Sequence, residues 1–230
     1  MNYQLKSIAT IRTDFPTKFG VPRQSGLVKD LRGRIVFEPE YRDPEALRGL
    51  EGFSHIWLLW DFSEARVPNP KFKATVRPPR LGGNKRMGVF ATRSPFRPNY
   101  IGLSSVRILS IDLHTLDGPV IEVEGVDMMD GTPIFDIKPY LPFTDSHPEA
   151  TGGFTEMQAT QPAFRGDAIH FSEALVASYD AAHLEALMKI LASDPRPHYH
   201  EDPQRIYSLE FAGKEIKFRY TDDQISAWLE

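Results

Sequence analysis

The sequence predicts a mainly-β protein: an antiparallel barrel or sandwich up to about Pro142, then a small α+β unit. Three observations carry that prediction. Short apolar, β-prone runs recur between Gly, Pro and Asp turn signals. Asp117-Gly118 joins two of these runs as a hairpin turn. A helical periodicity enters late, where Leu184, Leu187, Met188 and Leu191 share one face at i, i+3, i+4 and i+7.

Taken in order, Tyr3–Thr13 reads as a strand through Leu5, Ile8 and Ile11, and Asp14–Gly26 as a loop broken by Pro16, Gly20 and Pro22. Arg34–Phe37 is a second strand. Asp43-Pro44 opens a short helix to about Leu50, Asp as the cap and Pro at the first helical position. Phe53–Phe62 is the most apolar run and suits a buried central strand. Phe72–Val76 and Met87–Thr92 read as short strands. Ser104–His114 and Pro119–Val126 form the hairpin, and Ile121 and Val123 alternate with Glu122 and Glu124, so one face looks inward. The Asp130–Pro133 turn leads into Ile134–Leu141. Asp145–Pro162 reads as a linker, Ala168–Leu175 as a strand, Tyr179–Ser193 as a helix stopped by Asp194-Pro195, and Arg205–Phe211 with Glu215–Tyr220 as a closing hairpin around Gly213. The expected division is 1–145 and 146–230.

The stretch from Arg77 to Ser105 stands apart. It holds Arg77, Arg80, Lys85, Arg86, Arg93 and Arg97 without one carboxylate, framed by Pro and Gly. Charge of one sign in loops repels itself unless an anion sits opposite. The whole chain carries a net charge of −4, so this is a local basic field on an acidic molecule. With Phe90, Phe96 and Tyr100 interleaved, it points to a phosphate-bearing partner, most simply RNA, with rings able to stack on unpaired bases. Phe90, on a strand, is expected in the core.

Other chemistries are excluded or unsupported. The chain has no cysteine, which removes disulfides, zinc–thiolate sites, iron–sulfur clusters and thiol nucleophiles. No G-x-G-x-x-G follows a strand, and no P-loop or G-x-S-x-G elbow occurs. His198 and His200 read as a surface loop pair, His55 as a structural histidine, and no metal is expected. The N-terminus has no signal-peptide core and no 18-residue apolar run exists, so the expected compartment is the cytoplasm. These residues leave open a catalytic barrel, a non-catalytic RNA-binding barrel, and the same barrel acting on another acceptor.

The blocks KFGVPRQSGLV (18–28), FSHIWLL (53–59), RPPRLGGNKRMGVFATRSPFRPN (77–99), IGLS (101–104) and DGTPIFDIKPYLPF (130–143) resemble the TsaA/TrmO family in order and spacing. The resemblance thins toward DPRPHY (194–199). It implies a β-barrel methyltransferase that uses S-adenosylmethionine and methylates N6 of threonylcarbamoyladenosine at position 37, in the tRNA anticodon loop. It also implies a homodimer with the cofactor near the subunit interface. Carried over, Pro22, Arg23, Gln24, Phe62, Ser63, Arg93, Leu103 and Gly125, Val126, Asp127 and Met128 are the expected cofactor contacts. Asp136 and Tyr140 are the candidates for polar groups at N6. Arg77, Arg80, Lys85, Arg86 and Arg97 suit the phosphates, and Arg196, His198 and Tyr199 could add tRNA contacts. The family pattern RPNPIG here reads with Tyr100 in place of its second proline.

Overall fold

Alternation of apolar and polar residues rolls the N-terminal strands into a closed barrel. In the computed structural model, which describes residues 4–68, 71–78, 85–158, 164–196, 202–221 and 223–230, its strands are β1 (Ala9–Thr13), β2 (Arg32–Phe37), β3 (His55–Asp61), β6 (Ile101–Thr115), β7 (Gly118–Glu124) and β8 (Thr132–Pro139). Strands β4 (Thr75–Val76) and β5 (Met87–Gly88) pair as a separate two-stranded ribbon. Around the barrel the order is β1-β2-β7-β6-β3-β8, every pairing antiparallel, with β8 returning to β1. Ile11, Ile35, Ile56, Leu58, Ile121, Val123 and Ile134 point inward and are fully buried. The apolar run is central as expected: β3 pairs with β6 on one side and β8 on the other.

After helix α1 (Pro142–Asp145) come β9 (Ile169–Phe171), α2 (Glu173–Ser178), α3 (Ala181–Ala192), β10 (Ile206–Phe211), β11 (Lys214–Tyr220) and β12 (Ile225–Leu229). The second sheet runs β10-β11-β12-β9, its last pairing parallel. Helix α3 covers it through Ala186, Leu187, Ile190 and Leu191, and Tyr220 Oη donates to the Leu191 carbonyl at 2.6 Å.

Several expected elements are shorter or of another type. The 43–50 helix is a 3-10 turn, Pro44–Leu47; the Asp43 carboxylate does accept from Glu45 N, at 3.0 Å, but Arg48 goes extended and ends it. The 168–175 strand stops at Phe171 because Ser172 Oγ caps a helix by accepting from Leu175 N at 3.3 Å. The 87–92 strand ends at Gly88, and Val89–Ala91 is a 3-10 turn. On α3 the buried face is rotated from the expected one: Leu184 and Met188 are half-buried while Ala186 and Ile190 are buried. The 145–162 stretch holds a 3-10 turn, Gly153–Gln158.

The second sheet packs on the loop between β1 and β2. The Phe15 and Phe211 rings lie 5.3 Å apart and those of Phe19 and Phe218 stack at 6.1 Å. Ala212 N donates to the Asp14 carbonyl at 2.9 Å, and Lys189 pairs with Asp30. Gly20 lies so close to Leu209 that a Cβ there would meet its Cδ1 at 2.3 Å.

Inside the barrel a similar approach occurs between Gly102 and Trp60, where a Cβ would fall 2.3 Å from the indole. The ring is pinned by its own hydrogen bond and cannot yield as a flexible side chain would. Gly102→Ala is therefore expected to lower unfolding free energy by about 1–3 kcal/mol, measured by urea denaturation.

Candidate functional site

At one end of the barrel a buried polar chain ties three segments together. Trp60 Nε1 on β3 donates to Ser104 Oγ on β6 at 2.9 Å, and Ser104 Oγ donates to Asp127 Oδ1 at 2.6 Å. Asp127 lies in the segment after β7. Burial pushes its carboxyl up to about 6, opposed by the Ser104 hydrogen bond, by backbone hydrogen bonds from its own segment and Ser25, and by the positive field of Arg93. The loop carrying Pro22, Arg23 and Gln24 joins the same place. Ser25 Oγ accepts from Ser105 N at 3.2 Å, and Gly26 N donates to the Gly125 carbonyl at 2.9 Å.

Arg93 closes the arrangement from the other side, its guanidinium donating to Gln24 Oε1. Phe62 packs its ring 4.3 Å from Trp60, and Phe62 N donates to the Tyr100 carbonyl at 2.8 Å. Contacts therefore run without a gap from the 22–26 loop through Arg93, Leu103–Ser105, Trp60–Phe62 and Gly125–Asp127. Ser63 begins the 3-10 turn after Phe62, and Met128 is buried, its carbonyl accepting from Thr13 Oγ1 at 3.1 Å. Val126 is buried against Leu31. Leu103 points outward and is half-exposed, an apolar surface at the rim.

Asp136 and Tyr140 are placed differently from each other. Asp136 pairs with Leu59, and Leu59 with Leu103, so the three form one outward row across adjacent strands. Two strand spacings put Asp136 about 10 Å from Leu103. Its carboxylate accepts from Ile137 N at 2.9 Å and pairs with Lys138 at 3.1 Å. Tyr140 lies four residues on, about 13 Å along the strand direction, its ring 5.5 Å from Trp57 and 6.1 Å from His55. The two therefore do not converge on one spot.

Of the basic residues, Arg77, Lys85 and Arg86 are exposed. Arg86 donates to Thr75 Oγ1 at 3.3 Å, and Arg97 is turned back to the Thr92 carbonyl at 2.8 Å. Arg80, His198, Tyr199 and His200 lie outside the described residues. Arg196 is engaged within the fold: it pairs with Asp194 at 2.7 Å and its guanidinium lies 3.7 Å over the Tyr220 ring. Among the described residues no group of three or more His, Cys, Asp or Glu could hold a metal ion.

Two aromatic expectations are reversed. Phe90 is 74% exposed, because the strand ends before it and Val89 takes the buried position. Tyr100 is buried at φ +51°, under the Arg66 guanidinium at 5.6 Å, and offers no stacking face. A proline, locked near φ −65°, could not take that conformation, so the loop here follows a path that the RPNPIG pattern does not allow. Ser25, Trp60 and Ser104 were not singled out from sequence; their hydroxyls and indole look like ordinary strand and loop residues until the segments meet.

Comparison with known proteins fits this geometry. Residues 10–146 match the family model described as the tRNA-methyltransferase O N-terminal domain, and residues 165–228 match the TrmO C-terminal domain. A tRNA (adenine(37)-N6)-methyltransferase of Escherichia coli strain K12 is 40% identical over 225 residues, covering 96% of this chain and 94% of its own. A putative S-adenosylmethionine-dependent methyltransferase of Pseudomonas aeruginosa is 38% identical, with 96% and 94% covered. A solved structure titled as that of TrmO superposes with a TM-score of 0.78 at 31% identity, covering 99% of this chain and 98% of that one.

The raised Asp127 carboxyl has a thermodynamic signature. Its folded value exceeds the unfolded one of 3.8, so its contribution to stability is complete below about pH 4 and is lost as pH rises through about 6. The unfolding free energy of Asp127→Asn relative to wild type should therefore rise with pH, by about 2 kcal/mol between pH 4 and 7. Denaturation curves across that range, with a flat difference as the contrary result, check it.

Proposed function

The chain belongs to the tRNA-methyltransferase O family and is an S-adenosylmethionine-dependent tRNA adenine-N6 methyltransferase, and we propose that its acceptor is the threonylcarbamoyl form of the adenosine at position 37. The observation that carries the site assignment is the convergence of the 22–26 loop, Arg93, Leu103 and the Gly125–Asp127 segment on one end of the barrel.

When bound, S-adenosylmethionine supplies an electrophilic methyl group on a sulfonium. The side chains gathered here suit its parts. Arg93 and Arg23 offer guanidinium forks for an amino-acid carboxylate. Leu103 and Phe62 offer apolar faces at the rim, and the backbone of Gly125, Val126, Asp127 and Met128 offers hydrogen bonds to an adenine edge. Gln24, Pro22 and Ser63 complete the proposed lining. Asp127 shares its Oδ1 with Ser104, so the negative charge it brings faces Arg93 without leaving the barrel end.

On the acceptor, N6 is part of a urea and its lone pair is delocalised, so holding it in line supplies much of the acceleration. As the N6–methyl bond forms, the methyl–sulfur bond would break and leave a neutral thioether, and the N6 proton must leave. Asp136, in the outward row with Leu103 and Leu59, is the proposed acceptor of that proton. Tyr140, in tilted contact with the Trp57 and His55 rings, is proposed to orient the modified base rather than to act at the same atom. The threonyl carboxylate and the loop phosphates are assigned to Arg77, Arg80, Lys85, Arg86 and Arg97.

A homodimer belongs to the same proposal. Leu103, Leu109 and Leu113 leave an exposed apolar line along β6 that a second copy would cover. The division near residue 145 assigns the chemistry to the barrel and, to the second sheet, the bracing of the 14–31 loop through Phe15 and Phe19. Among the described residues no helix is long and apolar enough to cross a membrane; the cytoplasm, where tRNA is modified, is the proposed compartment.

Nucleoside mass analysis of tRNA incubated with the protein and S-adenosylmethionine should show a methyl gain on threonylcarbamoyladenosine alone. An equal gain on a matched transcript lacking the threonylcarbamoyl group would reject this acceptor. Arg93→Ala is expected to weaken cofactor binding at least about tenfold, the scale of one lost charge-assisted pair. Lys85→Ala should instead weaken tRNA binding and lower its salt slope by about 1. Calorimetric titration of cofactor and filter binding of tRNA separate the two effects, and equal cofactor loss in both variants would end the division of roles.

A further inference from the structure

Two exposed phenylalanines flank the β4–β5 ribbon. Phe72 and Phe90 are 65% and 74% exposed, yet their rings stand at 6.3 Å with only 26° between planes. The ribbon lies between them in the chain, Phe72 three residues before β4 and Phe90 two residues after β5. Thr75 pairs with Gly88 and Val76 with Met87, while Val89 N donates to the Ala74 carbonyl at 2.9 Å and the Val89 side chain is buried. Phe90 is thus anchored through its neighbour Val89, and both rings are largely open to solvent. Leaving two large apolar rings in water opposes stability, and among the described residues nothing covers them.

Their electrical surroundings are as uneven. Between Glu64 and Asp112 the sequence contains ten Lys and Arg residues and not one Asp or Glu. Lys71 and Lys73 flank Phe72, and Lys85 and Arg86 lead directly into β5, all four exposed. None of the four makes an ion pair among the described residues. An apolar partner alone would not call for cations without counterions, and a phosphate chain alone would not call for paired rings. Unpaired nucleotides present both features: a face to stack on and a charge to neutralise. Phe90 stands three residues before Arg93, whose guanidinium meets Gln24, so their backbones are at most about 11 Å apart.

We propose that Phe72 and Phe90 form a base-stacking platform for unpaired nucleotides flanking the target adenosine, with Lys71, Lys73, Lys85 and Arg86 holding their phosphates. This rests on tRNA being the substrate. The platform recognises a π-face and a backbone, so it tolerates sequence; its task is to hold the loop open beside the barrel end.

The test uses the full-length protein and a synthetic anticodon stem-loop RNA carrying 2-aminopurine next to the target position. Phe72→Ala/Phe90→Ala and Phe72→Leu/Phe90→Leu should each weaken RNA binding about tenfold or more, the scale of lost base stacking. The salt slope and S-adenosylmethionine affinity should stay unchanged, and 2-aminopurine quenching should be lost. Phe72→Trp/Phe90→Trp should restore both affinity and quenching. Full affinity in the Leu variant would overturn the platform, since it keeps apolar contact without a π-face. So would dissociation of an assembled wild-type protein by the Ala or Leu variants with RNA binding otherwise intact, which would make the rings a contact between copies. If the wild-type protein bound no RNA while still holding the cofactor, the tRNA reading itself would fail and the platform with it.

Discussion

The barrel end depends on one constraint: the single Ser104 hydroxyl must serve both the buried Trp60 indole and the largely shielded Asp127 carboxyl. A buried carboxylate is costly unless it accepts a hydrogen bond, and a buried indole N–H needs an acceptor. Ser104 serves both with a single hydroxyl, accepting at 2.9 Å and donating at 2.6 Å. This fixes the hand of the indole, which in turn requires a glycine at 102, and it fixes the segment after β7 against β6. Ser25 and Gly26 then dock the 22–26 loop onto that same frame. Four stretches far apart in the chain reach one rim through a few short bonds.

That loop is also held from behind. Phe15 and Phe19 pack on rings of the second sheet, and Ala212 bonds to the Asp14 carbonyl. A loop carrying an exposed arginine and two prolines would otherwise sample many conformations, and ordering it would oppose ligand binding. The C-terminal unit thus contributes to the barrel site through packing. Arg196, the one described member of its basic and aromatic loop trio, is held by Asp194 and Tyr220 within the unit itself.

Charge is segregated in the same spirit. The chain is acidic overall, while the ribbon and its flanks are purely basic over a long stretch. Three carboxylates near the rim are occupied: Asp127 by Ser104, Asp61 by a two-pronged contact with Arg66, Asp136 by Lys138. A polyanion arriving at this face meets uncompensated cations first and paired ones behind.

The sequence by itself determined the elements and the character of the site. Period-2 alternation, the Asp117-Gly118 turn and the apolar run 53–62 were enough for the β class and for a central β3, since these signals are local. The acid-free basic stretch was legible because charge composition needs no coordinates. Motif blocks carried the family, and with it the cofactor. What only the tertiary structure decided were relations between distant segments. Phe90 is exposed and Tyr100 buried, the reverse of the local reading, because a 3-10 turn at Val89 and a left-handed Tyr100 redirect their side chains. The 43–50 and 168–175 elements changed type because chain direction, set by packing, overrode short-range propensity. Ser104 lay in a family block and Trp60 in the apolar run, but their link was not legible: a hydroxyl and an indole become one hydrogen-bonded frame only when closure of the barrel places the Asp127 carboxyl beside them.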